Sequence, residues 1–229
     1  MFIFRNHTTQ LMKEKIYKGE KHQISMIIPG DPLGSPDDFI SVIVFIDNAY
    51  LLRLRNYFFK QGLKYSIKNF VLNFAKKEGL SVEKIFFYDS PPFQSQYPSN
   101  DERKRKESYD KFTSYLRKDG IEIREGRTQR LKIGEEFIFK QKGGDMLLGI
   151  DMVGIEKDFP VVKNVVLLSG DSDFVPVIEK LKKQEIRVVL WTYFDRKRTS
   201  QFSKSNKLID SVEHYIKITK EDFETSRFK

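Results

Sequence analysis

Two aspartates stand two positions apart in Leu167-Leu168-Ser169-Gly170-Asp171-Ser172-Asp173-Phe174, directly after an apolar run and at the start of what reads as a helix. The run Val165 to Leu168 has the composition of a strand buried on both faces, and parallel sheets place reactive groups just beyond the ends of such strands. A second run, Val42 to Ile46, ends in the same way at Asp47. If the two strands pair side by side, Asp47, Asp171 and Asp173 become neighbours. A further acid, Asp145, opens an apolar helix after Lys142-Gly143-Gly144, where glycine frees the backbone. Asp151 lies six residues on, roughly 120° around the helix from it. Any one of these acids is satisfied as a turn residue or helix cap. The repeated arrangement argues for more.

Carboxylates crowded into one cleft repel one another and raise their own pKa values unless a cation neutralises them. Oxygen-only ligands favour Mg²⁺ or Mn²⁺ over zinc. Such a metal activates water and steadies the charge that builds on a phosphodiester, with carboxylates as ligands or base. Other chemistries find little support. There are no cysteines, and the three histidines, His7, His22 and His214, are scattered without ligand spacing. No Walker sequence or GxGxxG opens a helix after a strand. Asp47 is followed by Asn48 and Ala49, not by the acid two residues on that an aspartyl phosphatase wants.

The elements that must position these acids alternate between strands and helices, which predicts an α/β fold with a parallel sheet wrapped by helices. After the first strand, Leu51, Leu52, Leu54 and Phe58 predict a helix. Ile67, Phe70, Val71, Phe74 and Ala75 predict a second, with Ser66 at its start. Val82 to Tyr88 reads as a strand ending at Asp89. A third helix is predicted from Ser99, which has capping-box spacing to Glu102, to Gly120, and its basic run Arg103 to Lys106 reads as a solvated face. Leu131 to Phe139 alternates across a glycine turn as an inserted β-hairpin would. Asp145 to Ile155 suits a deeply buried helix. Pro176 marks a helix start, Arg187 to Trp191 a strand, Lys204 to Val212 a short helix and Tyr215 to Ile218 a final strand. Residues 1–38 read as an N-terminal extension and linker, 39–220 as the domain, and 221–229 as a C-terminal tail.

The formal net charge of +9, from 41 Lys+Arg against 32 Asp+Glu, favours a polyanionic partner. Arg124, Arg127, Arg130, Lys132, Lys140 and Lys142 flank or lie on the hairpin, and Arg196-Lys197-Arg198 follows a strand at the same edge, so both groups are candidate nucleic-acid contacts. Trp191, Tyr193 and Phe202 are candidate stacking residues, with burial the better reading for Trp191. No apolar stretch approaches the length of a membrane span. The cysteine-free composition fits a cytoplasmic setting. The sequence leaves room for a homo-oligomer.

Three segments together resemble the signatures of NYN domains in the PIN-like nuclease superfamily: Phe45-Ile46-Asp47-Asn48-Ala49-Tyr50, Lys142 to Asp151, and Ser169 to Pro176. The likeness runs over about residues 40–218. It implies a three-layer fold with a central parallel sheet of order 3-2-1-4-5, a carboxylate site for Mg²⁺ or Mn²⁺, and cleavage of RNA. Position by position, Asp47, Asp145, Asp171 and Asp173 fall on the family's acidic site, with Asp151, Asn48, Ser169 and Lys142 as supporting residues. Many members carry Asn where Tyr50 stands and Gly where Asn48 stands. Two other readings are an RNA-binding or regulatory module without turnover and a PIN-like nuclease acting on DNA.

Overall fold

The structure, a computed structural model, describes residues 39–60, 62–195, 197 and 199–228. The predicted N-terminal extension, with its short apolar piece at Ile24 to Ile28, lies outside the described residues. Six strands form one sheet: β1 (Ile40–Asp47), β2 (Leu80–Asp89), β3 (Glu122–Glu125), β6 (Asn164–Leu168), β7 (Arg187–Thr192) and β8 (His214–Lys217). Two more, β4 (Arg127–Ile133) and β5 (Glu136–Lys142), pair only with each other. The sheet order is β3-β2-β1-β6-β7-β8, and every neighbouring pair is parallel. With the hairpin strands left out of the count, this is the expected order 3-2-1-4-5 extended by one strand at the edge.

The alternation of β1 explains the three layers. Val42, Val44 and Ile46 enter one core, whereas Ile43 and Phe45 enter the other. The first core is covered by α1 (Asn48–Phe58), α2 (Ile67–Lys77) and α3 (Asn100–Lys118), through Leu51, Leu54, Phe70, Phe74 and Leu116. The second is covered by α4 (Gly144–Asp158), α5 (Val175–Lys183) and α6 (Asn206–Ser211), through Leu148, Met152, Ile178 and Leu208. Each such large apolar side chain contributes roughly 1.5–3 kcal/mol by leaving water. The helix starts follow their sequence signals: Ser66 Oγ accepts from the Asn69 N–H, and Ser99 and Glu102 form a reciprocal capping box.

Three expectations change. The predicted C-terminal tail, 221–229, does not trail over its described residues 221–228, because α7 (Lys220–Glu224) inserts the fully buried Phe223 against Phe58, Phe70 and Tyr65. Lys77 holds the buried Asp222 at 2.6 Å. The helix of Asp145 to Ile155 is only half buried, with Met146 69% and Ile150 59% exposed, since a single sheet face covers just one side of it. The hairpin is longer than predicted, seven paired residues on each strand, and turns at Gly134 with φ 62°. A positive φ at the first of two turn residues is what glycine supplies in a two-residue hairpin.

Candidate active site

In this sheet the strand order runs outward in both directions from β1 and β6, so the crevice beyond their carboxyl ends is the natural place for a ligand. Ile46 pairs with Leu168, which sets Asp47 beside Ser169. The fully buried Ser169 hydroxyl donates to Asp47 Oδ2 at 3.0 Å and accepts from the Asp171 N–H at 3.2 Å. Asp171 then caps the 3₁₀ turn Ser172–Phe174, its Oδ1 accepting from the Asp173 N–H at 2.9 Å. A single hydroxyl therefore ties the two central strand ends together. The remaining Asp47 oxygen caps α1 by accepting from the Tyr50 N–H at 3.1 Å.

Asp145 reaches this edge from the first turn of α4. The helix is capped by Gly143 in the left-handed region, φ 86°, with no side-chain capping bond, so Asp145 is not consumed as a cap. Burial raises the Asp145 pKa above the usual carboxylate range, and repulsion from Asp171 and Asp173 raises it further. Burial also raises that of Asp47, against the lowering bonds from Tyr50 and Ser169, with Asp145 adding repulsion. Asp145 thus stands between the other predicted acids at this sheet edge, its charge acting on Asp47 and those of Asp171 and Asp173 acting on it.

Two residues escaped sequence reasoning. Asp89 ends β2 as Asp47 ends β1, and both line a cleft of about 80 Å³ with Asp145. Its pKa is raised by burial, opposed by the Ser90 N–H and the Asn48 side chain. Asn48 therefore holds Asp89. The signal was present in Phe86-Phe87-Tyr88-Asp89, an apolar run ending in an acid. Arg53, on α1, lines a neighbouring cleft of about 330 Å³ with Asp171 and Ser172, and its positive charge lowers the pKa values of Asp47 and Asp145. Nothing in the spacing marks it except its place two turns beyond Asp47.

Hard oxygen donors gathered at one edge suit a divalent cation such as Mg²⁺ or Mn²⁺ in donor type and charge. Among the described residues, however, no three acidic or imidazole side chains stand close enough to hold an ion as they lie. Asp47 and Asp171 spend oxygens on backbone N–H groups and, at Asp47, on Ser169.

Several candidates are employed elsewhere. Asp151 accepts from the Tyr88 hydroxyl at 2.8 Å and pairs with Arg124 at 3.1 Å. Arg124 also meets Glu122 at 2.9 Å and lies over the Phe86 ring. This pair braces β2 and β3 against α4. Phe202 and Trp191 are buried, and the Tyr193 ring packs against Tyr57, Phe58 and Phe202 with Lys217 over it, so none of the three is open to stack on a base. Lys197 is exposed, while Arg196 and Arg198 lie outside the described residues. Arg127, Arg130, Lys132, Lys140 and Lys142 are exposed on the hairpin, which is rooted beside the cleft by the Gly126 N–H donating to Asp89 O at 2.8 Å. A Cβ on Gly126 would stand 2.6 Å from Lys142 O and 2.9 Å from Ser90 Oγ.

Tyr50 lays its ring against Gly170 and carries its hydroxyl past the acids to β7. Its hydroxyl lies 3.1 Å from Thr192 Oγ1 and accepts from the Tyr193 N–H at 2.6 Å, and burial pushes its pKa up to about 12. The position where many NYN members carry Asn is here a core strut between α1 and β7.

The three-layer α/β fold, with its parallel sheet opening outward from β1 and β6, is the architecture that the resemblance to PIN-like domains implies. Within it, the model of the NYN domain matches residues 41–219, and the chain belongs to that family. The fold is similar to the crystal structure of a protein of unknown function, VPA0982 from Vibrio parahaemolyticus, at 21% identity and TM-score 0.55, covering 83% of this chain and 99% of that one. No match is found among curated proteins. Among the described residues no helix is long and apolar enough to cross a membrane.

Proposed function

We propose that this protein is a divalent-metal-dependent ribonuclease whose carboxylates are Asp47, Asp145, Asp171 and Asp173, with Asp89 as a fifth. One observation carries the reading. Acids from separate chain crossings converge on one edge, where Ser169 joins Asp47 to Asp171 and where burial and mutual repulsion raise the pKa values of Asp47 and Asp145. Mg²⁺ or Mn²⁺ held there supplies charge neutralisation and an acidified water. Ser169 orients Asp47, and Asn48 orients Asp89. Arg53 stands where it can meet a phosphate oxygen drawn toward the acids, offsetting the repulsion between two anionic groups. Lys142, at the end of the hairpin, is a second phosphate contact. The absence of cysteine fits a reducing, cytoplasmic setting.

Incubation of single-stranded and structured RNA with the protein and Mn²⁺ or Mg²⁺ tests this, beside EDTA and the variants Asp47→Asn and Asp171→Asn. Cleavage should vanish in EDTA and fall at least about a hundredfold in each variant. Equal cleavage by all three proteins overturns the assignment. The burial of Tyr50 and the engaged acid oxygens favour a second reading, an RNA-binding module without turnover. Tight RNA binding with no metal-dependent cleavage selects it. A matched DNA strand in the same assay separates a deoxyribonuclease.

A further inference from the structure

The register of the hairpin sorts its residues onto two unlike faces, since directly opposed residues in an antiparallel pair share a face. Arg127, Gln129, Lys140 and Lys142 share one with Leu131, Ile133, Glu136 and Ile138. The other carries Thr128, Arg130, Lys132, Phe137, Phe139 and Gln141, which is two cations, two aromatic rings and no acid. Phe137 is 52% exposed and Phe139 53% exposed. Arg130 lies between rings, 5.0 Å from the Phe93 centroid and 4.6 Å from that of Phe137. Phe93 and Phe139 stand 5.6 Å apart. Thr128 Oγ1 donates to Pro91 O at 2.6 Å, so this face leans over the loop after β2. Its last member, Gln141, lines the acidic cleft with Asp47 and Asp145.

Half-exposed phenylalanines on a two-stranded ribbon are a solubility liability unless something uses them. Rings alternating with guanidinium and ammonium groups present flat faces for bases and positive charge for phosphates. The row ends at the acids, with about 6.6 Å between successive same-face residues of a strand. We propose that this face is a stacking platform for single-stranded nucleic acid, delivering it into the cleft of Asp47 and Asp145. The proposal rests on nucleic acid being the substrate, as the nuclease reading has it, and adds that the substrate arrives unpaired. In a duplex the bases are stacked on each other and cannot lie on Phe137 or Phe139.

The test is fluorescence anisotropy in EDTA, with a labelled single-stranded RNA of about 16 nucleotides and a duplex of the same length. Wild type is compared with the pairs Phe137→Leu/Phe139→Leu, Phe137→Trp/Phe139→Trp and Arg127→Ala/Lys140→Ala, each checked for native circular dichroism. The leucine pair keeps an apolar ribbon but removes the flat faces. It should weaken single-strand binding by about fivefold or more per ring, leaving duplex affinity within about twofold, while the tryptophan pair retains it. The opposite-face alanine pair should weaken both substrates alike and flatten the salt dependence. Unchanged single-strand affinity in the leucine pair overturns the platform, and if wild type still cleaves RNA with metal the nuclease reading survives that result. A wild type that sediments as a dimer, with a monomeric leucine pair, also overturns the platform, because the rings then face a second copy. Failure of the wild type to bind any nucleic acid in EDTA overturns the platform, and absence of metal-dependent cleavage as well overturns the nuclease reading.

Discussion

Gly170 and Tyr50 are packed so closely that a Cβ on Gly170 would lie 2.5 Å from Tyr50 Cε2. The ring cannot yield easily, because its hydroxyl is fixed between Thr192 and the Tyr193 backbone. The glycine before Asp171 is therefore explained by a neighbour from α1. Gly170→Ala should destabilise the fold by about 1–3 kcal/mol through overpacking. In a double-mutant cycle by urea denaturation, Tyr50→Leu should relieve most of that cost; additive losses would show that the glycine is needed for some other reason.

Ser169→Ala removes both the donor to Asp47 and the acceptor for the Asp171 N–H. Partners that orient ligands typically matter by about 10–100-fold in metal affinity or activity. We expect a rise of that size in the Mn²⁺ concentration needed for half-maximal cleavage, with the protein still folded. A metal titration that overlays wild type would remove Ser169 from the site.

Asp145 has a raised folded pKa, so between the ordinary carboxylate value and that raised value the folded state binds more protons than the unfolded one. Its contribution to stability is therefore present at low pH and is lost as pH rises through the folded pKa. Asp145→Asn escapes this loss. In EDTA its Tm should match wild type below about pH 4 and exceed it by on the order of 2 °C at neutral pH. A constant difference across that range would mean that repulsion at the cleft is not what the substitution relieves.

Asp151, by contrast, should matter to stability alone. Asp151→Ala leaves the nearly buried Tyr88 hydroxyl without its acceptor and Arg124 with one partner fewer. A loss of about 1–2 kcal/mol is expected, discounted for the exposure of Arg124. Metal-dependent cleavage per folded molecule should stay within about twofold, and a larger drop would return Asp151 to the acidic site.

Phe223→Ala should cost about 3–5 kcal/mol, as for a buried aromatic ring in a closed core. Removal of residues 221–229 should be worse, exposing Phe58, Phe59 and Phe70 together. A truncated chain with wild-type thermal stability would contradict the packing of α7.

The sheet was legible because parallel strands buried on both faces leave continuous apolar runs, and Val42 to Ile46 and Val165 to Leu168 each end at the polar residue that serves the edge. The proximity of Asp47 and Asp171 follows once these two strands pair side by side. What sequence could not supply were side-chain allegiances. Asp151 and Asp145 differ only in which neighbours the helix turns them toward, and only the packing of Tyr88 and Arg124 shows that Asp151 is taken. Asp89 was overlooked because its strand lies one step from the obvious pair. Phe223 was missed because a five-residue helix has too little periodicity to betray a buried face.

The hydrogen bond from Ser169 to Asp47 spans 122 positions of chain. During synthesis the first acids leave the ribosome with the first half of the domain, but β1 lacks its central neighbour until the chain has passed residue 168. Long-range parallel pairing of this kind forms late and slowly. Polypeptides interrupted before that point hold Asp47 and Asp89 without Asp171 or Asp173. A chain that ends before Ser169 therefore lacks both the central strand neighbour of β1 and the hydroxyl that orients Asp47.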